Sequence, residues 1–267
     1  MATPASRIFV LYIGGAADPG AWDAKPTPRA LNEVAKRGCS GFLVLPATKN
    51  EANAEATLKT VLGVDEGIDG HSGAFQYDKI PVAFFSDSDS ACSLAKSAGL
   101  KSVHHVPMHA DHEAVCSQMN KLLAKTEDIK AKQLVFFHLS DYHAEHWVYS
   151  FLETLLSSEA TGSSDDCFVS SVQAARRPLS TDPMTATHPL RPRQSYERHQ
   201  GQYPASSAGL PRRLLVSSYH YDRTRRDDVT AFEESEIEQH GAYGAMDARI
   251  FMKEMAFRLG FAPKYGA

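Results

Sequence analysis

Apolar segments of strand length alternate along this chain with segments of helical periodicity. The predicted strands are Arg7–Ile13, Gly41–Leu45, Pro81–Phe85, Lys101–Val106 and Gln133–Leu139. The predicted helices are one between Thr27 and Gly38, followed by Glu51–Leu62, Ser88–Ala98, Glu113–Lys125 and His143–Leu156. Short strands that alternate with helices of this length form βαβ units, whose strands lie parallel in one sheet. The alternation therefore predicts an α/β fold.

The strands are apolar along their whole length instead of alternating between polar and apolar residues. Leu134, Val135, Phe136 and Phe137, for example, follow one another without a polar residue. Such strands are typical of a sheet that helices cover on both faces. We therefore predict a three-layer architecture, with a mostly parallel central sheet between two layers of helices. A length of 267 residues is compatible with one domain over residues 1–267.

The second half of the chain is less regular. It offers two further strands, Cys167–Val172 and Leu214–Tyr219, and a closing helix over Met246–Leu259. Between the two strands, the stretch Ala174–Arg213 carries seven arginines against two acidic residues, a formal charge of +5. Irregular stretches of this length are usually either functional or disordered. It is therefore either a flexible surface loop or a clamp for an anionic ligand or an acidic partner.

Charge and composition exclude several function classes. The chain has 28 Lys and Arg against 32 Asp and Glu, so no overall positive field is present to hold nucleic acid. No apolar run has the length of a membrane span, and the N-terminal segment lacks the pattern of a signal peptide. The four cysteines are scattered and form no C-x-x-C pair, which is typical of a reducing compartment. We expect a cytoplasmic protein without nucleic-acid or membrane partners.

Several segments, in colinear order, resemble the archaeal type of cofactor-independent phosphoglycerate mutase, a branch of the alkaline phosphatase superfamily. They are Leu11–Asp18, Gly70–Gln76, Pro81–Asp141, Arg225–Glu234 and Lys264–Ala267. The resemblance implies an alkaline phosphatase-like fold. It also implies a family chemistry in which two divalent metals flank a serine that attacks phosphate and is released in a second step.

The positions where this resemblance would place the catalytic residues hold unreactive side chains. The metal-binding aspartate of the opening strand falls on Gly14, and the nucleophilic serine falls on Ala54. The Asp-His metal pair of a late strand falls near Ser170–Gln173, which contains neither residue. A methyl group cannot be phosphorylated. The resemblance therefore predicts no catalytic residues in this chain.

Some ligand-type residues persist in the matching segments. Asp141 follows the Gln133–Leu139 strand, His146 comes five residues later, and His188 matches a third histidine of the family. Together they would hold one divalent ion, Mn, Zn or Mg. The alternative is that they are surviving polar residues and that the protein binds no metal, which is the interpretation we favour.

The domain that the mutases insert after the nucleophile segment is also absent, because only a few residues separate Gln76 from Pro81. A mutase must hold its intermediate away from water, so the loss of this domain argues against mutase activity. Our leading hypothesis is a pseudoenzyme that acts as a binding or scaffold module. Its partner would be a protein or a small anionic ligand in the cleft above the strand C-termini. The alternatives are a divergent metal-dependent phosphoesterase or phosphotransferase, or a likeness that is limited to the fold.

Overall fold

The computed structural model describes residues 5–15, 26–45, 54–64, 73–77, 79–108, 110–124, 132–160, 167–175, 212–221 and 226–262. Within them, one sheet of eight strands has the order β4-β3-β5-β1-β6-β7-β2-β8. Strand β7 is antiparallel to both of its neighbours, and the other pairs are parallel. The strands are β1 Arg7–Ile13, β2 Cys39–Val44, β3 Val82–Ser86, β4 Ser102–His105, β5 Gln133–Leu139, β6 Cys167–Ala174, β7 Arg213–Tyr219 and β8 Gly244–Asp247.

Helices cover both faces of this sheet. On one face α1, α4, α5 and α6 share a core with Phe9, Leu11 and Phe137. On the other face α2, α3 and α7 share a core with Ile8, Val10 and Phe136. The helices are α1 Arg29–Arg37, α2 Ala54–Leu62, α3 Asp89–Ser97, α4 His112–Leu122, α5 Trp147–Ala160, α6 Glu234–His240 and α7 Phe251–Arg258, with a 3-10 turn at Ala248–Ile250. The predicted three-layer, mostly parallel α/β fold is confirmed.

The central strand shows why the apolar runs are continuous. All seven residues of β1 are buried, because successive side chains enter opposite cores. Phe9 contacts the ring of Phe151 of α5 at 5.4 Å between centroids, whereas Tyr12 on the opposite face contacts Phe136 at 6.4 Å. Truncation of such a fully buried aromatic side chain to alanine costs about 3–5 kcal/mol.

Two helices begin four or five residues later than the sequence predicts. The closing helix was predicted over Met246–Leu259, but the chain first forms β8, which pairs with β2 from Gly41↔Gly244 onwards. The helix begins only at Phe251, because the hydrogen bonds of a strand residue go to the neighbouring strand and not along its own chain. In α5, predicted from His143, the first helical residue is Trp147.

Two buried charged groups connect the last third of the chain to the sheet. Asp227 Oδ2 accepts hydrogen bonds from the backbone N–H groups of Ser40 at 2.7 Å and Ala242 at 2.9 Å. Arg213, at the start of β7, donates to Glu234 at 2.6 Å inside the protein. Asp227 therefore holds the segment after β7 against β2, and the Arg213–Glu234 pair holds α6 against β7.

Candidate functional site

The parallel strands β1, β3, β5 and β6 end at the same edge of the sheet, which we call the carboxyl edge. In open α/β sheets, ligands bind in the crevice beyond this edge. The register places Ser86 of β3 beside His138 of β5, and His138 beside Tyr12 of β1. One row of neighbouring strands therefore ends in a serine, a histidine and a tyrosine on the same face.

The chain leaves β1 through two glycines that lie directly against β5. A Cβ atom at Gly14 would lie 3.1 Å from His138 Nε2 and 3.1 Å from the carbonyl oxygen of Leu139. Gly15 has φ +70°, and a Cβ there would lie 2.5 Å from Asp141 Oδ1. The backbone N–H of Gly14 donates to the Leu139 carbonyl at 2.7 Å. A larger side chain at either position would therefore require His138, Asp141 or the backbone at the end of β5 to shift.

Ser86 and His138 form a hydrogen-bonded pair beneath the carboxyl edge. Ser86 Oγ lies 2.8 Å from His138 Nδ1, and the backbone N–H of Ser88 donates to the same hydroxyl oxygen at 3.1 Å. Because that oxygen already accepts from Ser88, the arrangement favours donation by the Ser86 hydroxyl to Nδ1. In the neutral ring the proton then sits on Nε2, the nitrogen beside Gly14.

The surroundings of His138 keep its ring neutral. Its side chain stacks on Tyr12, with 5.4 Å between ring centroids, and on Phe84 at 6.3 Å. Burial lowers the pKa of His138 to about 4, and the nearby Asp87 carboxylate opposes this shift. The ring therefore carries no charge at neutral pH, and its Nδ1 has no proton of its own. It is able to accept a proton, although only weakly.

Asp87 connects the ends of β3 and β5 from the solvent side. Its carboxylate accepts from the Ser140 backbone N–H at 2.7 Å and from the Ser140 hydroxyl at 3.0 Å. His105 at the end of β4 donates through Nε2 to the Asp87 carbonyl oxygen at 3.2 Å, and its Nδ1 lies 3.1 Å from an Asp89 oxygen. These contacts connect three adjacent strand ends into a polar rim, called here the Asp87 rim.

The predicted metal ligands Asp141 and His146 lie in different surroundings. Asp141 is exposed, and its Oδ1 accepts from the Tyr142 backbone N–H at 2.7 Å. His146 is buried between Phe137 and Trp147, and its Nδ1 accepts from the backbone N–H of Val148 at 3.2 Å.

The hydrogen bond from the Val148 N–H to His146 Nδ1 caps the first turn of α5, which is why this helix begins later than predicted. Burial lowers the pKa of His146 to about 4, and the nearby His143 lowers it further.

His188 and nearly all of the arginine-rich stretch lie outside the described residues. Among the described residues, no three His, Cys, Asp or Glu side chains are grouped so that they could hold a metal ion. The site formed by Asp141, His146 and His188 therefore stays a prediction.

The other positions singled out by the resemblance hold small or amide side chains. Ala54 is the exposed first residue of α2. On β6, Ser170 Oγ bonds to Ser218 Oγ at 2.9 Å, and Ser171 is fully buried. Gln173 at the end of β6 is also buried.

The Ser86–His138 pair was not among the residues predicted from the sequence. The two residues are separated by 52 positions and become neighbours only through the register of β3 with β5. One signal was available, because His138 interrupts the otherwise apolar run Leu134–Leu139. A polar residue inside a buried strand requires a hydrogen-bond partner.

No protein-family model and no curated protein matches this sequence. Several solved structures are similar to this chain in fold. The PH0037 protein from Pyrococcus horikoshii is similar at 11% identity and a TM-score of 0.53, covering 100% of both chains. Alkaline phosphatase from the Antarctic bacterium TAB5 is similar at 8% identity and a TM-score of 0.47, covering 98% of this chain and 99% of that one.

Cofactor-independent phosphoglycerate mutase from Thermoplasma acidophilum is similar at 8% identity and a TM-score of 0.46, covering 96% of this chain and 100% of that one. The structural neighbours thus include members of the alkaline phosphatase superfamily, the superfamily that the sequence resembles. At these identities the likeness concerns the fold. Among the helices of the described part of the chain, none combines the length and the apolar character that a membrane crossing needs.

Proposed function

We propose that this chain is a non-catalytic protein on an alkaline phosphatase-like core. It uses the crevice at the carboxyl edge to bind an anionic group of a small ligand or of a partner protein. Phosphoryl transfer in the manner of the resembled mutases requires a metal-binding carboxylate after β1 and a hydroxyl nucleophile at the start of α2. This chain has Gly14 and Ala54 at the matching positions.

The packing around Gly14 is the observation that carries this proposal. A side chain at position 14 would begin 3.1 Å from His138 Nε2 and from a peptide oxygen of β5. Real Cβ atoms rarely approach heavy atoms this closely, so a carboxylate could be accommodated only if His138 or the β5 backbone moved. The residue at the matching position and the close packing around it both support a glycine at this strand end in place of a metal ligand.

An anionic ligand is suggested by the charge at the β7 side of the crevice. Arg212 precedes β7 and is partly exposed, and its positive charge opposes the rise that burial causes in the pKa of Tyr12. The sequence between Ala174 and Arg213 has a formal charge of +5. Arginine is well suited to bind carboxylate and phosphate groups, because its planar fork donates two parallel hydrogen bonds.

The metal-dependent phosphoesterase remains the competing hypothesis, with Asp141, His146 and His188 as ligands. We would measure the metal content of the untagged full-length protein together with the hydrolysis of a phosphomonoester in Mn²⁺, Zn²⁺, Mg²⁺ and Co²⁺. The proposal predicts less than stoichiometric metal after dialysis and no hydrolysis above the protein-free blank. Stoichiometric metal with turnover that Asp141→Ala abolishes, and that the exposed control Asp228→Ala keeps, would contradict it.

The binding part of the proposal has a separate test. Titration of the full chain with inorganic phosphate, followed by NMR or calorimetry, should show binding that Arg212→Gln weakens. The exposed Arg226→Gln is the matched control, because it removes the same charge from another loop. Equal phosphate affinity in both variants would refute a role for Arg212, whatever the result of the hydrolysis assay.

A further inference from the structure

A cavity lies at the opposite edge of the sheet, where the strands begin. It has a volume of about 660 Å³ and is formed around the first residues of β3, β4 and β5. This volume is within the range of about 300–1,000 Å³ that is typical of small-molecule sites. The lining includes the aromatic residues Phe75 and Phe261 and the polar or charged residues Lys79, Lys101, Ser102 and Gln133.

The walls of this amino-edge cavity are held by ordered structure. The backbone N–H of Phe75 donates to the Ala98 carbonyl at 2.9 Å, which fixes the Phe75 segment against the end of α3. Gly99 lies in the wall with φ +94°, and a Cβ atom there would meet no atom within 4 Å. A glycine at this point allows the left-handed turn after α3 and keeps the wall open.

The cavity joins apolar surface to positive charge. Lys79 and Lys101 are exposed, and none of the described lining residues is acidic. Two more cations stand at the same edge: Arg7 donates to the Leu123 carbonyl, and Lys132 lies 5.7 Å from the ring centroid of Phe261.

Helices α3, α4 and α7 end at this edge, and their C-terminal partial charges sum to about −1.5. The negative charge of the helix ends therefore offsets only part of the four positive charges of Lys79, Lys101, Arg7 and Lys132.

The aromatic residues give the cavity a flat apolar surface. Phe261 is 38% exposed, which is unusual for a large apolar side chain in the described residues. Phe75 makes an edge contact with Tyr77 at 5.9 Å between ring centroids. An aromatic ligand can contact such rings by offset stacking or edge to face. A sulfonate, carboxylate or phosphate on the same ligand would meet the lysines.

We infer that the amino-edge cavity binds a small organic anion that carries a flat apolar group. Apolar contact with Phe75 and Phe261 would hold the flat part, and the lysines Lys79 and Lys101 would hold the anionic group. This site is separate from the carboxyl edge, so it does not depend on the function proposed there.

The test uses three probes on the full-length protein in calorimetry: naphthalene-1-sulfonate, the neutral 1-naphthol and inorganic sulfate. Naphthalene-1-sulfonate should bind at least about tenfold more tightly than either of the other two, because only this probe has both parts. The double variant Lys79→Glu/Lys101→Glu should weaken its binding at least about tenfold. Both lysines are exposed, so the variant is expected to fold, which circular dichroism checks.

The control variant Arg29→Glu/Lys36→Glu, on the exposed face of α1, changes the net charge by the same amount as Lys79→Glu/Lys101→Glu. It should leave the affinity for naphthalene-1-sulfonate within about twofold of wild type. Arg212→Gln should also leave it unchanged, which separates this cavity from the carboxyl edge. Hydrogen exchange with bound naphthalene-1-sulfonate should slow at the starts of β3 and β4. Equal losses in the two double variants, or equal binding of naphthol and sulfonate, would overturn the inference.

Discussion

Replacement of His138 by asparagine tests whether burial holds this ring neutral. Asparagine keeps an acceptor near the position of Nδ1, so Ser86 retains a partner at 2.8 Å in the wild-type geometry. It removes the titrating imidazole from its place between Tyr12 and Phe84. The variant will be less stable at every pH because the ring leaves a gap, but the informative quantity is the dependence of its stability on pH.

The sign and size of the pH effect follow from the two pKa values. The pKa of His138 is about 4 in the folded protein and 6.5 in an unfolded chain. Between these values only the unfolded chain binds the proton. The stability contributed by the neutral ring is therefore complete above pH 6.5 and is lost as the pH falls towards 4. Between pH 7.5 and 5.0 this loss amounts to about 2 kcal/mol.

The measurement is urea denaturation of wild type and His138→Asn at pH 7.5 and 5.0. The free energy of unfolding of the variant should fall by about 2 kcal/mol less than that of wild type over this interval. Phe9→Leu is the control, because it removes buried packing but no titrating group, and its pH dependence should match that of wild type. If His138→Asn shows the same loss as wild type, the ring titrates normally in the folded protein and our account of the pair is wrong.

Three further predictions concern groups that hold the fold in place. Asp227→Asn should lower the free energy of unfolding by about 2–3 kcal/mol, because the buried carboxylate accepts hydrogen bonds from backbone N–H groups. The exposed Glu145→Gln should change it by less than about 0.5 kcal/mol. Arg213→Met should cost about 3–5 kcal/mol, because it removes the cation that faces the buried carboxylate of Glu234, and the added change Glu234→Gln should recover part of this loss. Gly15→Ala should cost about 1–3 kcal/mol more than Gly99→Ala, because both have positive φ but only the first would place a Cβ 3.0 Å from the backbone Cα of Asp141. Urea denaturation measures all three, and similar losses in any variant and its comparison would refute the corresponding contact.

The architecture was predictable because its signals are local. The continuous apolar run Leu134–Phe137 and the helical spacing of the segments beside it indicate a covered parallel sheet without knowledge of any contact. The short strand β8 was missed because Gly244–Asp247 has no apolar run of its own and is defined by pairing with β2. The first turn of α5 was misplaced because its cap is a histidine, which propensity rules do not expect at that position.

The candidate site was less predictable because it depends on which strands are neighbours. The resemblance placed glycine and alanine at Gly14 and Ala54, but it gave no reason for the glycine. The structure supplies a packing reason, because a Cβ at Gly14 would lie close to the His138 ring and to the peptide oxygens of Leu139 and Ser140, and the register of β1 with β5 places them there. The same register, with that of β3, creates the Ser86–His138 pair. Long-range pairing of this kind cannot be read from the spacing of residues along one chain.

The most direct test of a non-catalytic carboxyl edge is an attempt to trap a phosphorylated protein. The full chain would be mixed with a labelled phosphomonoester in Mn²⁺, Zn²⁺, Mg²⁺ or Co²⁺, quenched in acid and weighed intact by mass spectrometry, beside an alkaline phosphatase treated identically. We predict that the mass of this chain stays unchanged under every condition. A stoichiometric phosphoryl adduct on any hydroxyl would contradict the account, and its position would identify the attacking oxygen.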